Sequence, residues 1–480
     1  MVPQARVMKA SKVPSSRLGR MFHYGGLAAG LGMGAASEAL RRVSFGPGAT
    51  EATSSLFMSE ANVRRLVDKL SRMRGAALKL GQFMSIQAFS TADTKLLPAQ
   101  IEQIMMQVQN SANYMPQAQV VSQLVLEENL GSDWRSHFAS FDMVPFAAAS
   151  IGQVHTAVLA PSSPFASSYP PSMRVAVKVQ FPGVRASISS DLSNLKWLLV
   201  AGAVLPRGLY LENTLRVMER ELDEECDYLR EAACGEQMRQ LLGDSADFAA
   251  PRVVNELCGP MVLTTEFMGG RPLSEAISYS QPLKDEIGEK ILKLCLRELF
   301  EFELMQTDPN WSNFLFNRES RKIELIDFGA TRSYTTSFID RFHGLLLAAI
   351  AQDEGECLRV SRDLGYLTGE ENQITSPALQ EMLSAHVASL VALGTPFRPS
   401  SPSPFPFGTL GPPITTAIRA QIPVMLKHRL SPPPSETYSL NRKLSGAFLL
   451  CERLGSRVRA SELLEEVSTT RRMVVSNALD

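Results

Sequence analysis

The stretch LMQTDPNWSNFLFN (Leu304–Asn317), followed after a charged break by KIELIDFGATR (Lys322–Arg332), decides how this chain reads. Asp308 and Asn313 stand five residues apart in a polar loop between apolar runs. Asp327 follows Asn313 by fourteen residues, in an Ile-Asp-Phe-Gly turn that ends the strand-like run IELI. Two acids and an amide at this spacing suit phosphoryl transfer. One acid orients a nucleophile, while the amide and the second acid hold Mg2+ on a nucleotide's phosphates. Asp-Phe-Gly alone is a weak signal, because loops carry it by chance. Preceded by Asp-x4-Asn and a strand, it outweighs the alternative of solvated loop polars.

Upstream, the run MRVAVKVQF (Met173–Phe181) alternates Val175, Val177 and Val179 with Ala176, Lys178 and Gln180, the period of a strand. Lys178 is then a single cation on the other face of a strongly apolar strand. Before it, PFAAASIGQVHTAVL (Pro145–Leu159) has strand character from Ser150, and the turn-rich insert 161–172 makes the pair a hairpin. After it, a helix is predicted from about Asn213 to Arg239, with Leu215, Met218, Leu222, Cys226 and Leu229 as a buried stripe. Glu225 borders that stripe and is placed to pair with Lys178; Glu221, Glu224 and Glu231 compete for the role. Two further strands are predicted at Pro251–Glu256 and Met261–Glu266, joined by a Cys-Gly-Pro turn. The second leads into a glycine pair, as a hinge between lobes would, and the backbone of Thr265, Glu266, Phe267 and Met268 is placed to bind an adenine edge. From Ser274 the pattern is helical, with a long helix predicted over Ile287–Met305 and others near 337–352, 355–365, 377–394, 421–429 and 440–454. The proline- and serine-rich stretch 395–413 reads as irregular.

With 480 residues, 45% of them hydrophobic and 20% charged, the chain is globular and long enough for two lobes or more. A net charge of -1 gives no general attraction to nucleic acid. The six cysteines include no Cys-x-x-Cys pair, so neither a zinc site nor a disulfide framework is indicated, and the thiols read as reduced. The first residues carry Arg6, Lys9, Lys12, Arg17 and Arg20 with no acid before Glu38, which fits either an organellar transit peptide or a basic arm on an anionic surface. Tyr24–Ala36 is apolar and glycine-rich, but its 13 residues fall short of the roughly 20 that span a bilayer. Residues 59–88 form an amphipathic helical region. Glycine inside a helix costs about 1 kcal/mol against alanine, so Gly81 marks a close approach to something. Lys79 and Gln82 share a face there, which on spacing alone reads as solvated.

With these residues in place the chain resembles the UbiB family of atypical protein-kinase-like proteins, called aarF-domain-containing kinases in mitochondria, and in particular its coenzyme Q-supporting members. The likeness runs from about Val13 through LSGAFLLCERL (Leu444–Leu454) and rests on KLGQ (79–82), AAAS (147–150), VAVK ending at Lys178, ECDYLREA (225–232), DPNWSN (308–313) and DFG (327–329). It implies an α+β fold: a two-lobed kinase-like body with an antiparallel-sheet N-lobe (119–266) and a helical C-lobe (267–480). A basic N-terminal segment (1–58) and a helical extension bearing the KxGQ motif (59–118) precede it. It implies ATP and Mg2+ as cofactors, Lys178 as the nucleotide lysine with Glu225 its helix partner, Asp308 as the catalytic acid, and Asn313 and Asp327 as metal ligands. Thr265–Met268 becomes the adenine hinge, and Ala147, Ala148, Ala149 and Ser150 the loop over the phosphates. Lys79, Leu80, Gly81 and Gln82 would fold over the site where a kinase takes peptide, with Glu231 meeting that helix. The implied location is the matrix face of the mitochondrial inner membrane, the alternative being a bacterial cytoplasmic membrane. The implied partners are coenzyme Q biosynthesis enzymes, anionic lipid and quinone precursors. Glycines 25–35 are suited to pairing two protomers.

The implied activity is an ATPase supporting ubiquinone biosynthesis; the competing readings are a genuine protein or small-molecule kinase and a nucleotide-switched lipid scaffold. The alanine loop bears on this choice. Kinases use glycine there because backbone amides must approach the phosphates, sometimes at positive φ. Three alanines remove that freedom, so the loop is expected to be stiffer and more helical, and γ-phosphate transfer handicapped. Ala149→Gly is expected to change nucleotide affinity and to permit autophosphorylation, as read by nucleotide binding and by label retained on the protein; an unchanged nucleotide profile counts against this role for the loop.

Overall fold

The computed structural model describes residues 124–149, 151–201, 211–308, 310–372, 376–409 and 413–477. Residues 1–58, the extension 59–118 with Lys79, Leu80, Gly81 and Gln82, and Ser150 lie outside the described residues.

The N-terminal part is an antiparallel sheet. After the short helix α1 (Leu124–Leu130) come β1 (Phe138–Phe141), β2 (Ala147–Ala148), β3 (Gly152–Leu159) and β4 (Arg174–Gln180). Next are α2 (Val184–Ala201), α3 (Leu211–Glu225), α4 (Tyr228–Leu242), β5 (Phe248–Ala249) and β6 (Val262–Glu266). Strands run β1-β3-β4-β6, with β2 also pairing β3. The valine alternation read from the sequence puts Val175, Val177 and Val179 of β4 fully inside, against Trp134, Phe138, Val254 and Val262. Each such burial contributes about 1.5–3 kcal/mol.

Two expectations fail here. The single helix predicted over 213–239 is two helices, α3 and α4, broken at Cys226–Asp227. The cause is local: the Asp227 carboxylate accepts the Arg230 amide at 3.0 Å and caps a new helix. Gln180 of β4 holds the broken end by donating to the Cys226 carbonyl at 2.9 Å. Restarting the helix rotates its faces, so Leu229, expected in the buried stripe, is 50% exposed. The strand predicted at Pro251–Glu256 contracts to one bridge between Val253 and Thr265, followed by a 3-10 turn at Asn255–Leu257.

The C-terminal part is mostly helical. It contains β7 (Arg271–Pro272), α5 (Gln281–Phe300), β8 (Leu304–Gln306), β9 (Phe314–Phe316), β10 (Ile323–Leu325) and β11 (Thr331–Ser333). There follow α6 (Thr336–Ala351), α7 (Glu354–Asp363), α8 (Pro377–Gly394), β12 (Phe405–Pro406), α9 (Ile414–His428), α10 (Ser435–Leu454), β13 (Arg457–Val458) and α11 (Ala460–Asn477). The helix predicted to run to Met305 stops at Phe300, and Leu304–Gln306 pairs instead with β11. A second small sheet, β5-β10-β9-β7, carries the hairpin between Asn313 and Asp327. The buried face of α5, Ile287 to Phe300, is the spine of the core beneath it. The architecture is thus α+β, an antiparallel-sheet part followed by a helical part. All six cysteines are free. No helix among the described residues is long and apolar enough to cross a membrane.

Gly152, first residue of β3, marks the tightest approach in the sheet. A Cβ there would lie 2.6 Å from both the Val179 carbonyl oxygen and the Tyr228 hydroxyl. Gly152→Ala is expected to cost on the order of 1–3 kcal/mol, read as a lower denaturant midpoint at unchanged slope; an unaltered midpoint would show that β3 and α4 have room to separate.

Candidate active site

β4 presents Lys178 and Gln180 on one face, two residues apart. Gln180 holds the helix break, and the restart one residue later turns Glu231 of α4 toward Lys178. The Lys178 ammonium donates to both Glu231 carboxylate oxygens, at 2.7 and 2.9 Å, and to Asp327 Oδ2 at 3.3 Å. The expected pairing with Glu225 is therefore corrected to Glu231. A continuous helix would have turned Glu225 inward, whereas the break moves the inward face by six residues. Glu225 instead lies beside Gly329, its Cγ 3.6 Å from where a Cβ of that glycine would stand.

The cluster is electrostatically tight. Glu231 is 2% exposed and Lys178 14%. Burial works against the ammonium, but the carboxylates of Asp327 and then Glu231 outweigh it and hold the lysine pKa well above its usual value. Burial pushes Glu231 up to about 7, against the pull of Lys178. Tyr228, one helical turn before Glu231, adds a ring face with the ammonium 5.0 Å from its centroid.

The catalytic-loop residues are stitched to this cluster from two sides. The Ile326 amide donates to the Asn313 carbonyl at 3.2 Å, across the β9–β10 hairpin. The Thr307 amide and hydroxyl both donate to the Ala330 carbonyl, at 3.2 and 2.7 Å. Between these ties Asp308 accepts the Asn310 amide at 3.2 Å and the Asn313 side-chain amide at 3.0 Å. With its nitrogen so engaged, the Asn313 side-chain oxygen takes no hydrogen bond among the described residues. Asp327 Oδ1 accepts the Gly329 amide at 3.1 Å. Asn313 and Asp327 thus offer hard oxygen donors at a half-exposed position, the donor type Mg2+ takes. Phe328 is buried, its ring pressed against Gly235 of α4, where a Cβ would lie 3.1 Å away.

The alanine loop is a hairpin, not a helix. Ala147 and Ala148 pair with Val154 and Gln153, and the Ala149 amide donates to the Gly152 carbonyl at 2.9 Å. Pairing with β3 supplies the backbone bonds a helix would otherwise make, and none of the three alanines needs positive φ. At the hinge, Thr265 and Glu266 end β6. The Phe267 amide donates to the Arg174 carbonyl at 2.9 Å, while the Met268 amide has no acceptor among the described residues. Gly270 is fastened to the C-terminal part by the buried Glu324 carboxylate at 2.8 Å.

Several contributors escaped the sequence reading. Arg230 donates to the Gly329 carbonyl at 3.0 Å and to the Thr331 carbonyl, and Arg332 meets Glu224 at 2.6 Å, so α3 and α4 clamp the segment after Phe328. Lys443 of α10 donates to the Gln306 carbonyl at 2.6 Å and pairs with the fully buried Glu298 at 2.7 Å. Asp227, one residue before Tyr228 and three before Arg230, was the available signal for the helix restart. Nothing local marked Lys443 as a support of a loop more than a hundred residues away.

Glu231→Gln leaves a buried ammonium with Asp327 alone. Removing one partner of a buried pair costs about 3–5 kcal/mol, and the lower end is expected because Asp327 stays. Unfolding titration and nucleotide binding should both suffer more in Glu231→Gln than in Glu225→Gln; equal losses would return Glu225 to the partner's role.

Comparison with known proteins places this geometry in a family. Residues 107–361 match the ABC1 atypical kinase-like domain. The chain is 46% identical over 457 residues to "Atypical kinase COQ8, mitochondrial" of Schizosaccharomyces pombe, covering 95% of this chain and 70% of that protein. It is 44% identical over 460 residues to the Saccharomyces cerevisiae protein of the same name, covering 96% and 86%. "Atypical kinase COQ8B, mitochondrial" of Rattus norvegicus is 45% identical over 457 residues, covering 95% and 81%. Among solved structures, that of Rv3197 with erythromycin from Mycobacterium tuberculosis superposes with a TM-score of 0.53 at 22% identity, over 85% of this chain and 96% of that one, a likeness of fold. The named relatives are mitochondrial, and so is this chain. Their similarity supports a role in ubiquinone biosynthesis carried by the kinase domain. The chain, a kinase-type enzyme, belongs to the UbiB family of ABC1 atypical kinases.

Proposed function

We propose that this protein is an atypical kinase-fold ATPase that binds ATP with Mg2+ between its two parts and supports ubiquinone biosynthesis at the matrix face of the inner membrane. The observation that carries the reading is the joining of Lys178, Glu231 and Asp327 to the Asp308–Asn313 loop through direct hydrogen bonds. Lys178, held by Glu231, is the group that meets the α- and β-phosphates. Thr265–Met268 receives the adenine edge, with the Met268 amide as donor. Ala147, Ala148, Ala149 and Ser150 cover the phosphates. Asn313 and Asp327 would hold the metal, which would neutralise phosphate charge when bound. Asp308 orients the attacking oxygen.

Hydrolysis is favoured over transfer to a peptide by one feature of the described residues. Only residues 330–335 separate Gly329 from the start of α6, and Arg230 and Arg332 tie them down. Peptide-directed kinases keep an activation segment after DFG; among the described residues no such segment follows Gly329. We assign Lys79, Leu80, Gly81 and Gln82 to a helix covering the same face. Coenzyme Q biosynthesis enzymes, anionic lipid and quinone precursors are the partners this reading carries, with self-association through glycines 25–35.

Radiolabelled ATP separates the possibilities. Phosphate should appear in water, faster when anionic liposomes and quinone precursors are added, and not on a protein acceptor. Asp308→Asn should lower turnover by at least about 100-fold and abolish quinone synthesis in cells lacking the wild-type chain. Quinone synthesis undiminished in that variant would make the protein a nucleotide-switched scaffold instead.

A further inference from the structure

Protein kinases read His-Arg-Asp at the catalytic loop. This chain reads Gln306-Thr307-Asp308 and so lacks the loop arginine. An arginine nevertheless occupies the space behind the loop, brought by α10. Arg442 Nε donates to the Thr307 carbonyl at 3.2 Å, and Nη2 to the Thr307 hydroxyl at 3.3 Å. The same guanidinium forks onto Glu221 of α3, with Nη1 and Nη2 at 3.1 and 3.0 Å from the two carboxylate oxygens. Both side chains are under a tenth exposed. Burial opposes the charge, but Glu221, and beyond it Asp308 and Glu225, raise the arginine pKa, so the cation sits within the field of the catalytic acid. One planar group therefore joins three elements: α10, the residue before Asp308, and α3.

In switchable kinases, an arginine orders the activation segment by pairing with a phosphate on it. Here the segment 330–335 is short and held by Arg230 of α4 and by its own Arg332, and the anion meeting Arg442 is a carboxylate built into α3. We propose that Arg442 and Glu221 are a positioning pair for Asp308: α10 supplies the arginine that the loop lacks, and Glu221 is a permanent anion in place of a phosphate. It follows that the chain is competent without phosphorylation, and that the seating of α10 sets the turnover rate. The inference rests on the ATPase reading above, and its test is arranged to be judged apart from it.

Arg442→Lys keeps the charge and loses the fork. ATP turnover should fall by about 10- to 100-fold, as a small misplacement of a catalytic group does, with nucleotide affinity within about twofold of wild type. Glu221→Leu/Arg442→Met removes both charges together, a replacement buried pairs usually tolerate, and should show the same split between kcat and affinity. Wild-type turnover in Arg442→Lys, or in the folded double variant, overturns the proposal. So does a loss of wild-type turnover on treatment with a protein phosphatase. Hydrogen exchange gives a readout independent of activity: the amides of 304–308 should exchange faster in Arg442→Lys, and unchanged exchange would refute the pairing. If the wild-type chain itself turns over no ATP, the function reading fails while the exchange result still judges the pair.

Discussion

A buried ammonium shared between two carboxylates is the constraint on which this molecule depends. Lys178 sits on the central strand β4, where Val175, Val177 and Val179 commit the opposite face to the core. The chain cannot withdraw the lysine without withdrawing the strand. Taking such an ion out of water is costly unless its partners are held in place, and much of the surrounding structure serves to hold them. Asp227 restarts the helix that carries Glu231, Gln180 anchors the break, and Tyr228 lays its ring beside the ammonium. Asp327 reaches the same cation from the other part of the chain, so the cluster is also the seam between sheet and helices.

The helical part acts on that seam from behind. Lys443 and Arg442, adjacent on α10, hold consecutive backbone carbonyls, those of Gln306 and Thr307, just before Asp308. Arg230 holds the backbone just after Phe328, and Arg332 ties the same segment to Glu224. Asp308 and Asp327 are therefore each flanked by cations whose own counter-charges are internal to the protein. A site organised in this way starts rigid.

Most of the fold was legible because the relevant signals are local. The valine period around Lys178, the hairpin insert, and the spacing of Asp308, Asn313 and Asp327 each depend on a few neighbouring residues, and each lies in the element expected. The errors came where a side chain decides the backbone. Asp227 reads as one more polar residue on an acidic helix, yet as a cap it divides that helix and replaces Glu225 by Glu231 at the lysine. The alanine loop was expected to be stiffer and more helical because alanine lacks glycine's backbone freedom, but pairing of Ala147 and Ala148 with β3 holds it extended. Pro251–Glu256 has strand composition but pairs with β6 only over Arg252–Val254, because the 3-10 turn at Asn255–Leu257 takes the rest of it away. The α10 cations were illegible for a different reason: their partners are more than a hundred residues distant, and a basic pair on a helix ordinarily faces solvent.

The packing of Phe328 has a pharmacological consequence. Its ring fills the space that the missing side chain of Gly235 leaves on α4, inside the main core. Turning that phenylalanine outward would open a cavity between α4 and the core and would strip the Gly329 carbonyl from Arg230. A ligand that held this phenylalanine outward would therefore have to offset both the lost packing and the lost hydrogen bond.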